Sequence, residues 1–230
     1  MSALENQLLA NLPSTEWQRL SPHLKRVSLQ AGQVLYNPGE TINQVYFPTG
    51  ALISIVSVQE DLSVEIGLIG YQGVLGLPAL LGDGVVTSRK IVQISGSALE
   101  LDVEVFRAEF HRAQELHRRL LLHIQAMLLQ VTQTAVCRAN YTIKEQLAYW
   151  LLLIQDCVQR EELPLTQQFI GRMLNTRRAS ISEAASSLSQ AGMIDYSRGK
   201  IKILNRSALE AAACPPYRLL KREEDRLYNT

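Results

Sequence analysis

Between Val27 and Val105 the apolar residues come in short runs that alternate with polar positions and are cut by turn formers. Candidate strands are Gln33–Tyr36, Gln44–Phe47, Ala51–Val58, Ser63–Leu68, Lys90–Ile94 and Leu99–Val105. Between them lie Asn37-Pro38-Gly39, Pro48-Thr49-Gly50, Gly70, Gly82-Asp83-Gly84 and Ser95-Gly96. The last run sets Leu99, Leu101, Val103 and Val105 on one face and Glu100, Asp102 and Glu104 on the other, the pattern of a half-buried strand. Many short strands at this spacing predict a closed roll, such as a jelly roll, or a sandwich.

After Phe106 the period changes. Leu116, Leu120, Ile124, Met127 or Leu128, Val131 and Ala135 recur every three or four residues, and neither Gly nor Pro falls between Arg107 and Cys137. This predicts one long helix with an apolar seam. Leu121, Leu122 and Leu129 supply a second apolar face, so the helix can meet its own domain on one side and a partner helix on the other. Leu120, Ile124, Met127 and Val131 are the candidate dimer residues. A break is expected near Arg138–Tyr141, followed by a capping box at Thr142 and Glu145 and a second helix through Leu147, Trp150, Leu151 and Ile154.

From Leu163 onward the pattern gives two short helices and a hairpin. Thr166 can cap Gln167–Leu174, with Phe169, Ile170 and Met173 or Leu174 inward, and Asn175 suits a tight turn that needs the left-handed conformation. Thr176 can cap a helix from Arg177 to about Gln190, burying Ile181, Ala184 or Ala185, and Leu188. Arg178, Ala179, Ser182 and Glu183 are left outside, and Gly192 ends the helix. Met193–Tyr196 and Lys200–Ile203 then read as a hairpin around Ser197-Arg198-Gly199, which completes a winged helix-turn-helix.

Charge sharpens this picture. The 230-residue chain has a net charge of +1, but residues 163–206 carry seven Lys or Arg against Glu183 and Asp195. A local excess of this kind on a winged helix-turn-helix points to a polyanion such as duplex DNA. The three cysteines, Cys137, Cys157 and Cys214, are odd in number and far apart, so they are expected to be buried thiols, with no disulfide and no metal site. Residues 24–110 hold no His and no Cys, and no nucleophile elbow, metal triad or phosphate loop stands out, so neither a cofactor nor catalysis is expected. Met1–Gln18 has no basic segment leading into an apolar run, and the chain lacks 18 uninterrupted apolar residues, which places the expectation in the cytoplasm and off the membrane.

The segment Leu165 to Leu188, Leu-Thr-Gln-Gln-Phe-Ile-Gly-Arg-Met-Leu-Asn-Thr-Arg-Arg-Ala-Ser-Ile-Ser-Glu-Ala-Ala-Ser-Ser-Leu, followed by Gly192-Met-Ile-Asp-Tyr-Ser-Arg-Gly199, resembles the DNA-binding domain of the Crp/Fnr transcription-regulator superfamily. Upstream, Gly32-Gln-Val-Leu-Tyr-Asn-Pro-Gly39, Val45-Tyr-Phe-Pro48 and Gly73-Val-Leu-Gly-Leu77 resemble its sensory roll. The resemblance implies a homodimer whose recognition helices enter successive major grooves of a palindromic promoter site, with RNA polymerase as a further partner. It makes Arg178 the base-reading arginine and puts Ala179, Ser182 and Glu183 at neighbouring contact positions. Thr166, Arg177, Arg198 and Lys200 complete the candidate DNA-binding set. Members reading the best-known site carry a glutamate and an arginine where Ala179 and Glu183 stand, so the preferred sequence does not carry over.

Cyclic-nucleotide-binding members of the superfamily hold their ligand with Gly-Glu-Leu and a later Arg-Ser. Here Val74 replaces the glutamate between Gly73 and Leu75, and Ser88 and Arg89 stand in reversed order. These five positions form the candidate effector pocket, for an unknown small molecule other than cyclic AMP. The expected architecture is α+β: a cyclic-nucleotide-binding-like β-roll over residues 1–112, a dimerisation helix over 113–139 and a winged helix-turn-helix over 140–230. The alternative is a small-molecule-binding or enzymatic β-roll protein with an incidental C-terminal module.

Overall fold

The computed structural model describes residues 6–59 and 62–228; residues 1–5 of the Met1–Gln18 stretch lie outside it. Two short helices open the chain, α1 (Gln7–Ala10) and α2 (Ser14–Leu20), and bury Leu8, Leu9 and Leu20 against the roll. The roll consists of two antiparallel sheets. One has the order β1-β7-β3 (Lys25–Leu29, Gly96–Asp102, Gln44–Pro48) and the other β2-β6-β4-β5 (Val34–Tyr36, Arg89–Ile94, Leu52–Gln59, Leu62–Ile69). Val45, Phe47, Ile53, Val92, Leu99 and Leu101 fill the space between them, as alternation on each strand requires. A short helix, α3 (Pro78–Leu81), crosses between β5 and β6.

The expected strand Leu99–Val105 stops at Asp102. The Asp102 carboxylate accepts the Glu104 amide at 2.8 Å and caps α4 (Val103–His111), so Val103 and Val105 are helical. The long helix is also interrupted where sequence pattern gives no sign. Ala113 takes a left-handed φ of 54°, and α5 begins anew at Glu115 and runs to Asn140. Its free amides at Glu115 and Leu116 donate to the Glu16 carboxylate at 3.0 and 2.9 Å, so a residue of α2 caps it.

By length and composition α5 is apolar enough to cross a membrane. One face, Leu116, Leu120, His123, Ala126, Gln130, Gln133 and Cys137, is buried. The other carries the exposed Leu121, Leu128, Val131 and Val136. The capping box at Thr142 and Glu145 starts α6 (Ile143–Val158), which is buried through Gln146–Ile154. An apolar helix buried all round is the centre of a core, and α6 packs Leu52, Val56, Leu68 and Ile94 of the roll together with the C-terminal elements.

Those elements are β8 (Glu162–Leu163), α7 (Gln167–Met173), α8 (Arg178–Gln190), β9 (Ile194–Ser197), β10 (Lys200–Ile203), α9 (Arg206–Ala212) and α10 (Pro216–Tyr228). The three strands form a sheet in the order β8-β10-β9. Roll and winged domain are joined by Trp150 Nε1 donating to Glu65, Arg138 donating to the Met173 carbonyl at 2.9 Å beside them, and Arg160 reaching the Gly50 carbonyl at 3.1 Å. The cysteines depart from expectation. Cys137 and Cys214, 77 residues apart, are joined in a disulfide with their Cα atoms 6.2 Å apart, and Cys157 alone is a buried thiol. Spacing along the chain could not reveal a contact made by α5 folding against the α9–α10 link.

Candidate nucleic-acid interface

The helix-turn-helix is built on one close approach. The Thr176 amide donates to the Gly171 carbonyl at 2.9 Å, and a Cβ on Gly171 would lie 3.0 Å from the Thr176 carbonyl oxygen. Asn175 takes the left-handed conformation at φ 50°, as the turn demands. The Thr166 hydroxyl accepts the Phe169 amide at 3.2 Å and caps α7, whereas Thr176 does not cap α8. Its amide is held by Gly171, so Arg177 becomes the N-cap residue, and its side chain makes no bond to the first amides of α8.

On α8, Ile181, Ala184, Ala185 and Leu188 are buried, while Arg177, Arg178, Ala179, Ser182 and Glu183 are all exposed on the opposite side. The wing turn follows the two-residue pattern with positive φ at both central positions, Arg198 at 49° and Gly199 at 78°. It sits beside the α7 N-terminus: the Tyr196 hydroxyl accepts the Gln167 amide at 3.1 Å, and Gly199 approaches the Thr166 methyl. Thr166, α8 and Arg198 therefore share one surface. Arg172, Arg177, Arg178 and Arg198 make no ion pair with any described residue. Lys200 differs, being paired with Glu162 of β8 at 2.7 Å.

Sequence reading missed β8, whose two residues give no periodic signal, and with it the Lys200 partner. It also missed Gln168 and Arg172, which stand four residues apart on α7 and line an open groove with Asn175, Arg177, Arg178 and Ser63 of β5. Their spacing on one helix face was the available signal.

Residues 145–212 match the family model of the Crp-like helix-turn-helix domain. The chain thus carries a Crp-like helix-turn-helix domain, the module of a DNA-binding transcription regulator. The regulator's structure is similar to that of FixK2 from Bradyrhizobium japonicum, with a TM-score of 0.68 at 17% identity over 83% of this chain and 98% of that one. It is similar also to the c-di-GMP responsive regulator CLP from Xanthomonas campestris, with a TM-score of 0.67 at 14% identity over 83% and 99% of the two chains. A CRP-family regulator of Thermus thermophilus gives a TM-score of 0.65 at 18% identity over 82% and 96%. At these identities the likeness is one of fold. A comparison with curated proteins finds no match.

The regulator's expected effector positions are not gathered into a cavity. Val74 and Leu75 are buried, and a Cβ on Gly73 would meet the His123 ring at 2.6 Å. The His123 ring accepts the Val74 amide at 3.3 Å and contacts the Tyr228 hydroxyl at 2.9 Å, so α5 and α10 close this turn. Arg89 turns to the Asn37 side-chain oxygen at 3.2 Å, while Ser88 faces the other way and accepts from Lys90 at 2.7 Å. Among the described residues no hydrogen bond links Gly73–Leu75 to either of them. No group of three or more His, Cys, Asp or Glu suited to a metal ion occurs among the described residues.

The candidate dimer residues divide. Leu120 is fully buried in the core of its own subunit and Met127 packs on the same core, which corrects their placement on an outer seam. Ile124 and Val131 lie toward the outside, alongside Leu121 and Leu128. The seam drifted because a helix turns 100° per residue, and its inward stripe follows His123, Gln130 and Gln133, polar residues absent from an apolar count.

Proposed function

We propose that the regulator works as a homodimer that reads a palindromic promoter site in duplex DNA, with Arg178 on α8 contacting bases and the wing contacting phosphates. The observation that carries this reading is the position of Arg178: first turn of α8, exposed, and without an ionic partner among the described residues. A guanidinium there can reach guanine O6 and N7 while the free α8 amides lie toward phosphate. Arg177, Ala179, Ser182, Glu183 and Thr166 flank it, and Arg198 and Lys200 supply the backbone contacts.

The dimer rests on the outer face of α5, where Leu128 is 66% and Leu121 48% exposed. An apolar stripe of this length on an exposed helix face suits a parallel copy of itself about a two-fold axis. RNA polymerase is the further partner of a promoter-bound regulator, and the cytoplasm is where it acts. The reading includes no catalysis and no cyclic AMP; any effector is a different small molecule.

Titration of selected and random duplexes at several salt concentrations tests this. Arg178→Ala should flatten the preference between them by roughly 1–3 kcal/mol. Lys200→Ala should weaken both duplexes alike and lower the salt dependence. Unchanged preference in Arg178→Ala refutes the base-reading role.

A further inference from the structure

Cys137 and Cys214 stand on opposite sides, in sequence, of the break at Tyr141 between α5 and α6. Cys137 lies in the last turn of α5, before the extended Tyr141 that leads into α6, and Cys214 lies in the link between α9 and α10, after the whole helix-turn-helix and wing. We infer that the two form a reversible thiol–disulfide pair, a modification site whose oxidation by a low-molecular-weight disulfide pins the winged domain to the end of the long helix. Its effect on DNA rests on the function proposed above; its chemistry does not.

The pairing is selective. All three sulfurs are buried, and Cys157 on α6 differs in having no cysteine beside it: its sulfur faces the Gln72 side-chain amide at 3.7 Å, and burial pushes its thiol pKa well up. Cys137 also lines a small cavity with Arg138, Glu65 and Tyr149. The Arg138 guanidinium also lines that cavity, a cation of the kind that favours a thiolate. Arg138 also donates to the Met173 carbonyl at the end of α7. Adjacent residues of α5 thus hold the helix-turn-helix by a hydrogen bond and the domain's exit by a covalent one.

Exchange balances as follows. One protein thiolate attacks a sulfur of the small disulfide and releases one small thiolate; the second protein thiolate then displaces the other from the mixed disulfide. Two cysteines lose two electrons and two protons, and the small disulfide takes them up as two thiols. In the bonded state the α8 face and Arg198 are exposed together. Opening the bond adds domain orientations in which they are not set for one duplex, and apparent affinity falls by the fraction that remains competent.

The test uses full-length protein in buffers of graded reduced and oxidised glutathione. Alkylation and mass measurement should show Cys137 and Cys214 protected together, with Cys157 labelled only after denaturation. Reduction should accelerate hydrogen exchange of the amides around Tyr141 at least tenfold. It should also weaken binding, by fivefold or more, to a duplex selected from a random pool under both redox conditions. Cys214→Ser should behave as the reduced protein in every buffer; should it not fold, the wild-type series decides alone. Three free thiols throughout, or identical amide exchange and affinity in both states, would overturn the proposal. Failure of both forms to bind any duplex, with thiol and amide-exchange responses intact, sinks the DNA-binding reading and leaves the redox site standing.

Discussion

His123 on α5 accepts the backbone amide of Val74 in the β5–β6 connection at 3.3 Å, across 49 residues of sequence. The amide that an anionic ligand would need is thereby occupied from within the chain. Val74 itself is wholly buried, and Arg89 is engaged by Asn37. Cyclic AMP should therefore show no saturable heat of binding at physiological concentrations, since a buried phosphate without a cationic partner is strongly disfavoured. Micromolar binding in calorimetry would show that the turn reopens.

The two faces of α5 should separate in mutagenesis. Leu128→Glu alters a side chain that is 66% exposed, and is expected to yield a folded monomer in sedimentation. Leu120→Ala empties a fully buried site and should cost about 2–5 kcal/mol of stability while the dimer persists. Dimers of undiminished affinity in Leu128→Glu would move the interface elsewhere.

The wing carries a built-in competitor for phosphate. Lys200 is held by Glu162 at 2.7 Å, both side chains being more than half exposed, so the pair contributes little to stability. Glu162→Gln should release Lys200 and remove a negative charge, strengthening binding to all duplexes by roughly two- to fivefold with a steeper salt dependence. Melting temperature should barely move. Equal affinities across a salt series would place Lys200 away from DNA.

Glu65 makes the contact between roll and winged domain sensitive to pH. Burial pushes its carboxyl up to about 7, although Ser54 and Trp150 donate to it. Because the folded chain holds this proton more tightly than the unfolded chain, stability is full at acid pH and falls as pH rises from about 4.5 through 7. The contribution is on the order of 3 kcal/mol. Glu65→Gln should flatten that fall in denaturant titrations between pH 5 and pH 8 (about half-unit steps suffice), and an unchanged slope assigns it to another group. Arg138 and Gln93 are the other polar groups facing this site, and the slope should survive Arg138→Lys and Gln93→Asn.

The helix-turn-helix was legible from residues alone because its signals are local. Thr166 caps, Asn175 and Gly192 take positive φ, and the period of Ile181, Ala184 and Leu188 fixes which side of α8 points outward. The roll strands β2 to β7 followed for the same reason, from alternation and turn residues, whereas β1 (Lys25–Leu29) was not among the expected runs. What the sequence determined by itself was thus each element whose start, stop and buried face depend on neighbours within a few residues. Tertiary structure decided the rest: the break before α5, set by Glu16 from α2; the closed turn at Val74, set by His123 and Tyr228; and the bond from Cys137 to Cys214. Each joins groups roughly 50 to 105 residues apart, and the free energy that selects such a contact arises only when separate elements pack, so no local pattern records it.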